Sequence, residues 1–368
     1  MALRVALVHD WLTNQGGGER VLWQLHQLYP NAPIYTSVYE PDKMPDFAGL
    51  DIRTSFLQNW PIAKKKHQLF PTLRTVAMES FDLSQYDLVI SSSSAEAKGV
   101  ITSPGTTHIS YLHTPTRYYW SGYHDYLKHP GFGPLSPLIR LAMPGQVTKM
   151  REWDFAAAQR PDYLVANSQY VAARVKKYYR RNAEVIHPPV DVERFDYSKD
   201  RQDYFLVVSR LIPYKQVELA VRACTKLNQS LKVVGRGSEL ERLKKLAGPS
   251  VTFISSANDD QVAQLMAKAS AFIFTAEEDF GITPVEAMAS GCPVIAYGVG
   301  GATESVIEGT TGLFFKEPTV ESVMDAIRRF EGMQLDVNVL RKRAEQFSNQ
   351  RFAQEIKALV TRVLKKPA

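Results

Sequence analysis

Only two of the 368 residues are cysteines, Cys224 and Cys292. They lie far apart, without the close spacing of metal-binding pairs, so the sequence has no disulfide framework and reads as a protein of a reducing cytoplasm. Long apolar runs are missing too. No stretch approaches the roughly 18 consecutive apolar residues of a membrane-spanning helix. The opening Met-Ala-Leu-Arg-Val-Ala-Leu-Val-His9-Asp10 meets an acidic residue too early for a signal peptide. Several chemical signatures are absent as well. There is no Asp-x-Asp pair to carry a metal–nucleotide, no His-x-x-x-His zinc pair, no Walker glycine–lysine loop and no Gly-x-Ser-x-Gly elbow. A metal cofactor is therefore not expected, and neither is the usual hydrolase nucleophile. Cys292, in Gly-Cys-Pro, reads as a packing residue.

What is present is an ordinary soluble composition, 45% hydrophobic and 22% charged, enough for two domains with good cores. The charge is uneven. Residues 1–186 carry 20 Lys and Arg against 15 Asp and Glu, residues 349–368 carry 5 against 1, and residues 187–348 carry 19 against 22. A basic first half with a basic tail can face an anionic membrane or nucleic acid. Lys64-Lys65-Lys66, among Phe56, Leu57, Trp60, Ile62, Leu69 and Phe70, mixes cations with bulky apolar groups as interfacial segments do. The same run also reads as a solvated turn.

Short apolar runs alternate with helical stretches. Strands are expected over 4–8, 88–90, 108–112 and 163–166, and again over 204–208, 231–234, 251–254, 271–274 and 294–296. That alternation, made twice, implies two doubly wound parallel sheets. The stiff His187-Pro188-Pro189 segment separates them. Ligands of such sheets sit at the carboxyl ends of strands, and two facing domains would form a cleft.

Four segments carry candidate chemistry. Glu278-Asp279-Phe280-Gly281-Ile282-Thr283-Pro284-Val285-Glu286 follows an apolar run, and Thr283-Pro284 reads as an N-cap and first helical residue. A helix start offers unpaired N–H groups to a phosphate, and the flanking Glu278 and Glu286 suit sugar hydroxyls. Thr283-x-x-Glu286 reads equally as a capping box. Arg210 and Lys215, five residues apart after a strand, offer two cations to one anion. Gly235-Arg236-Gly237 makes a glycine turn. In the first half, Gly16, Gly17 and Gly18 precede a helix expected to begin with Glu19; being contiguous, they do not match Gly-x-Gly-x-x-Gly. His113, in Tyr-Leu-His-Thr-Pro-Thr-Arg-Tyr-Tyr-Trp, stands where a strand opens into a loop.

Taken in order along the chain, these segments resemble the retaining glycosyltransferases of family 4, whose fold is GT-B. The two glutamates eight positions apart are the most specific part of the likeness. The resemblance implies an acceptor-binding domain over 1–186, a nucleotide-sugar domain over 187–348, and a C-terminal helix, 349–368, crossing back to the first domain. It implies that Arg210, Lys215 and the amides near Gly281–Thr283 neutralise a leaving nucleoside diphosphate. Glu278 would hold the transferred sugar, Glu286 the ribose, and His113 would steady the sugar near its reacting carbon. Gly16, Gly17 and Gly235 would line the donor, with Phe280 and Ile282 in the same segment. Ile254-Ser255-Ser256-Ala257-Asn258 stands where the family contacts the base. The wording around His113 and Glu278 looks most like the mannosyltransferases of bacterial O-antigen and exopolysaccharide synthesis. That implies mannose from GDP-mannose, a lipid-linked or glycan acceptor, no metal and no cofactor. The implied place is the cytoplasm, peripheral on the inner face of the plasma membrane, with no nucleic-acid partner. A same-fold sugar-nucleotide epimerase and a non-catalytic sugar-nucleotide sensor are the rival readings.

Overall fold

A computed structural model describes residues 3–60, 62, 64, 69–128, 133, 136–197 and 200–365. Lys65 and Lys66 lie outside the described residues. The chain forms two compact units, Met1–His187 with Ala353–Ala368, and Pro188–Phe352.

The first unit is built on seven strands: β1 Val5–His9, β2 Ile34–Thr36, β3 Ile52–Thr54, β4 Leu88–Ser93, β5 Thr107–Leu112, β6 Tyr163–Ala166 and β7 Glu184–Val185. All pair in parallel, in the order β3-β2-β1-β4-β5-β6-β7. β1 and β4 are buried at every position, as strands covered on both faces must be. Helices Gly17–Leu28, Pro71–Glu79, Ser136–Ala157 and Gln169–Tyr179 are among those that supply the cover. The last is capped by Ser168, whose Oγ accepts from the Val171 amide at 3.0 Å. Helix Asn349–Leu364 gives this unit its residues from Ala353 onward, burying Ile356, Leu359, Val360 and Val363.

A polar knot lies under the sheet's end. The Asp154 carboxylate, fully buried, accepts from Lys98 Nζ at 2.6 Å, Thr116 Oγ1 at 2.6 Å, Trp120 Nε1 at 2.7 Å and the Tyr179 hydroxyl at 2.7 Å. A buried charge is tolerable only when paired and hydrogen-bonded in this way.

The second unit holds six parallel strands: β8 Phe205–Val208, β9 Leu231–Val234, β10 Val251–Ile254, β11 Ala271–Phe274, β12 Val294–Tyr297 and β13 Gly312–Phe315. Their order is β10-β9-β8-β11-β12-β13. Alternate residues go to opposite faces. Leu206, Phe272, Phe274, Val294 and Ala296 enter one core; Phe205, Val207, Ala271, Ile273 and Ile295 enter the other. Helix Asp259–Lys268 begins with a capping box, Asn258 with Gln261, and Val320–Phe330 is capped by Thr319. Among the described residues no helix is long and apolar enough to cross a membrane.

In both sheets the strand order turns back beside the first strand, between β1 and β4 and between β8 and β11. Helices leave opposite faces at such a point, so the loops there diverge and leave room for a ligand.

Candidate active site

In the second unit, β8 runs into Ser209-Arg210-Leu211 and then a 3₁₀ turn, Pro213–Lys215. The Lys215 carbonyl accepts from Thr275 Oγ1 at 2.7 Å, fixing this turn to the end of β11. The Lys215 ammonium forms an ion pair with Glu278, both partly buried. The turn back in strand order thus joins two residues 63 positions apart in sequence. Tyr214 links the two cations: its hydroxyl accepts from Arg210 at 3.1 Å, and the Lys215 ammonium lies 5.2 Å from its ring centroid. Arg210 itself is exposed.

The glycines of this unit hold backbones together. At Gly235 a Cβ would stand 1.9 Å from the Ser209 carbonyl, and at Gly237 2.1 Å from that of Leu211. The loops lock through Leu211 N–H to the Arg236 carbonyl at 2.8 Å and Glu239 N–H to the Leu211 carbonyl at 2.9 Å. The Gly235 turn therefore braces the loop carrying Arg210. A second glycine loop, Gly298-Val299-Gly300-Gly301, lies beside Glu278, a placement not expected from the sequence. It pairs with Glu278 in a parallel bridge, and Gly301 N–H donates to the Glu278 carbonyl at 2.9 Å. Its signal was available: glycines between an apolar strand and a helix, as at Gly235.

One expectation is overturned. The helix is Ile282–Ala289, so it begins before Thr283 and Pro284, and its N-cap is Gly281 at φ +81°. Only glycine adopts that backbone easily, and the bend it makes starts the helix without a side-chain cap. Thr283 and Pro284 are inside the first turn, where proline's missing N–H costs no hydrogen bond. Thr283 is not an N-cap, and Glu286 is not the fourth member of a capping box. Glu286 is buried, and Phe280 packs on Phe347 with ring centroids 5.5 Å apart. Ile282 and Thr283 are partly exposed at the helix start.

In the first unit, helix Gly17–Leu28 starts two residues ahead of Glu19, with Gly16 as N-cap. A Cβ on Gly16 would stand 2.9 Å from Glu19 Oε2, so this glycine makes room for the carboxylate curling back over the turn. Gly17 is the first helical residue. Glu19 Oε1 stands 3.6 Å from His9 Nε2, at the end of β1. His9 Nδ1 is 3.2 Å from Ser92 Oγ on β4, and Ser92 Oγ is 2.8 Å from His113 Nε2, just beyond β5. Burial acts against a charge on His9, but the nearby Glu19 carboxylate, with the charge of Asp10, raises its pKa above the ordinary value. Burial, and then the neighbouring His9, push His113 down to about 3. Asp10 accepts from the amides of Ser94, Ala95 and Ala97 at 2.6, 3.0 and 2.7 Å, which holds the loop after β4.

Among the described residues no three His, Cys, Asp or Glu side chains stand together as metal ligands. Cys292 is fully buried, and that burial pushes its thiol up to about 12, which keeps it protonated.

Comparison with known proteins gives two adjoining family matches. Residues 15–194 match the family described as Glycosyltransferase Family 4, and residues 190–350 that described as Glycosyl transferases group 1. The alpha-1,3/1,6-mannosyltransferase ALG2 of Mus musculus is 28% identical over 246 residues, covering 55% of this chain and 59% of that protein. A GDP-mannose-dependent alpha-(1-6)-phosphatidylinositol monomannoside mannosyltransferase of Mycobacterium tuberculosis is 30% identical over 198 residues, covering 45% and 51%. The chain thus spans little more than half the length of these relatives. In fold it is similar to Anabaena Alr3699/HepE in complex with UDP, with a TM-score of 0.73 at 19% identity over 98% of this chain and 100% of that one. It is also similar to sucrose-phosphate synthase from Thermosynechococcus elongatus, with a TM-score of 0.72 at 17% identity over 99% of both chains.

Proposed function

Because the chain belongs to the family 4 glycosyltransferases of GT-B fold, with a Family 4 domain followed by a group 1 domain, we propose that it transfers mannose from GDP-mannose to a hydroxyl of a lipid-linked or glycan acceptor, with retention of configuration. The observation that carries this reading is the Lys215–Glu278 pair beside the helix start at Gly281. It supports the reading because a cation, a carboxylate suited to sugar hydroxyls and the first amides of a helix all belong to one unit. The choice of mannose is supported by the relatives that are mannosyltransferases, one of them GDP-mannose-dependent.

The chemistry follows from charge. The bond from the sugar's anomeric carbon to the diphosphate oxygen breaks as the acceptor oxygen attacks from the same face. The acceptor's proton passes to the departing phosphate, so no protein nucleophile is needed. Arg210, Lys215 and the amides of the first helical turn stabilise the developing negative charge. Two fixed cations do what a metal ion would do elsewhere, so turnover needs no metal. Glu278 holds sugar hydroxyls and Glu286 the ribose. Such an enzyme would work in the cytoplasm, in cell-surface polysaccharide synthesis, peripheral to the inner membrane face. That placement is supported by exposed Phe56, Trp60 and Ile62 near the exposed Lys64.

The test is transfer by purified protein in excess EDTA, with GDP-mannose, UDP-glucose and ADP-glucose each offered with a polyprenyl-diphosphate saccharide, and the product's anomeric configuration read by NMR. An α-mannoside, formed from GDP-mannose, is expected. Epimerised donor without transfer, a β-linked product, or activity only with added Mg²⁺ would overturn the proposal.

A further inference from the structure

Glu19, His9, Ser92 and His113 form a single line of polar contacts at 3.6, 3.2 and 2.8 Å. The transfer chemistry above uses none of the first three. His9 is 4% exposed, Glu19 9% and Ser92 fully buried, so water cannot readily replace these bonds. Gly18 fits over the line: a Cβ there would stand 3.5 Å from His113 Nε2 and 3.6 Å from His9 Cε1.

Counting protons fixes what the line can do. When His9 carries both ring protons, Nε2–H faces Glu19 and Nδ1–H donates to Ser92 Oγ. Ser92 then accepts from His9 and points its one proton at His113 Nε2. A ring nitrogen that accepts a hydrogen bond carries no proton, so His113 must hold its own on Nδ1. When His9 loses a proton it keeps the one facing Glu19, and its Nδ1 becomes an acceptor. Ser92 turns to donate to it, and His113 must donate from Nε2 instead. Among the described residues His113 Nδ1 has no hydrogen-bond partner, and the side chain is only partly buried.

We propose that Glu19, His9 and Ser92 are positioning residues that set the tautomer of His113: with His9 protonated, His113 presents Nδ1–H as a donor to a sugar hydroxyl or ring oxygen, and with His9 neutral it presents a bare acceptor. The switch changes which ring nitrogen of His113 carries the proton and needs no net gain or loss of charge on it. The charged or titratable groups facing His9 are Glu19, Asp10 and His113. The sugar as ligand rests on the transferase reading; the tautomer relay does not.

The experiment is ¹⁵N–¹H correlation spectroscopy of histidine-labelled full-length protein from pH 5.5 to 9, without substrate, beside the pH profile of transfer. His113 should show the Nδ1–H pattern at low pH and the Nε2–H pattern at high pH, changing as His9 titrates. The alkaline limb of kcat should fall at the same pH. Glu19→Gln should move both transitions down by about one pH unit or more, because it removes the charge that favours protonated His9. In Ser92→Ala the His113 pattern should no longer follow His9. A fixed Nε2–H pattern on His113, or transitions unmoved in a folded Glu19→Gln, would overturn the relay. A relay seen intact in a protein that transfers no sugar would overturn the ligand and the transferase reading instead.

Discussion

Gly300 and Gly309 share a left-handed backbone, φ +81° and +75°, and differ in what surrounds them. A Cβ on Gly309 meets nothing within 4 Å, whereas one on Gly300 would lie 2.5 Å from the Glu278 carbonyl oxygen and 3.2 Å from its nitrogen. Alanine in the left-handed region costs about 1–2 kcal/mol at either position. At Gly300, overpacking against backbone that cannot swing away adds roughly 1–3 kcal/mol. For a unit of this size each kcal/mol lowers Tm by about 2–4 °C. Gly309→Ala should then lose about 2–8 °C, and Gly300→Ala about 4–20 °C. The functional contrast should be larger. Moving the Glu278 backbone draws its carboxylate away from Lys215, and a displacement of about 1 Å in a positioned group costs on the order of 100-fold in rate. Differential scanning fluorimetry and a transfer assay on the two variants make the comparison. Equal melting shifts with equal rates would show that the Gly300 loop does not hold Glu278 in place.

Arg210→Ala and Lys215→Ala should each lower kcat by roughly 100-fold or more, the scale of removing one preorganised charge-stabilising donor; wild-type rates in either would move the phosphate site elsewhere. Glu286→Gln should keep Tm within about 2 °C yet bind GDP several-fold more weakly, since charge-assisted hydrogen bonds are about twice as strong as neutral ones; calorimetry showing unchanged affinity would refute the ribose role. Stability should fall in acid through His108, which burial, then the charge of Arg181, pushes down to about 3. The unfolded chain binds a proton near pH 6.5 and the folded one does not, so stability is lost as pH falls from about 6.5 toward 3, by about 2 kcal/mol at pH 5 for this one group. Melting curves of His108→Gln should show a shallower loss, and an unchanged slope would refute the assignment.

The strands legible in the sequence are those with three or more apolar residues in one short stretch: β1, β4, β5, β6, β8, β9, β10, β11 and β12. β2, β3 and β7 have two or three residues each, too few for any period to show, and only pairing with a neighbour makes them strands. β13 opens on Gly312, which reads as a breaker. In the sheet that glycine is required, because a Cβ there would stand 1.9 Å from the Val294 carbonyl. The helix at Ile282 departs from the expected start at Thr283 for a related reason. Thr283-Pro284 satisfies the local rule for a helix start, but the chain is bent into the helix two residues earlier, by Gly281, whose Cβ would press on Phe274 at 3.0 Å. A close tertiary approach decided the cap, and no local pattern records it.

Lys215, Glu278 and His113 stand out in the sequence one by one, whereas the side chains they meet do not, and strand order explains why. Lys215 follows β8 and Glu278 follows β11, with β9 and β10 between them in sequence. They meet only because β11 is inserted on the free side of β8. The first unit repeats the device. His9 ends β1, Ser92 lies on β4 and His113 follows β5, so one insertion beside β1 lines up three side chains from distant parts of the chain. A run of apolar residues states that a strand exists, but its neighbours follow from which helix covers which face, a property of the assembled layers. Once the order is known, the argument turns round. A parallel sheet has one place where successive helices leave opposite faces, and there the loops at strand ends diverge. In each unit the pairings unforeseen from sequence, Lys215–Glu278 and Glu19–His9–Ser92–His113, fall at that place, which is why tests of the chemistry belong on these residues before any others.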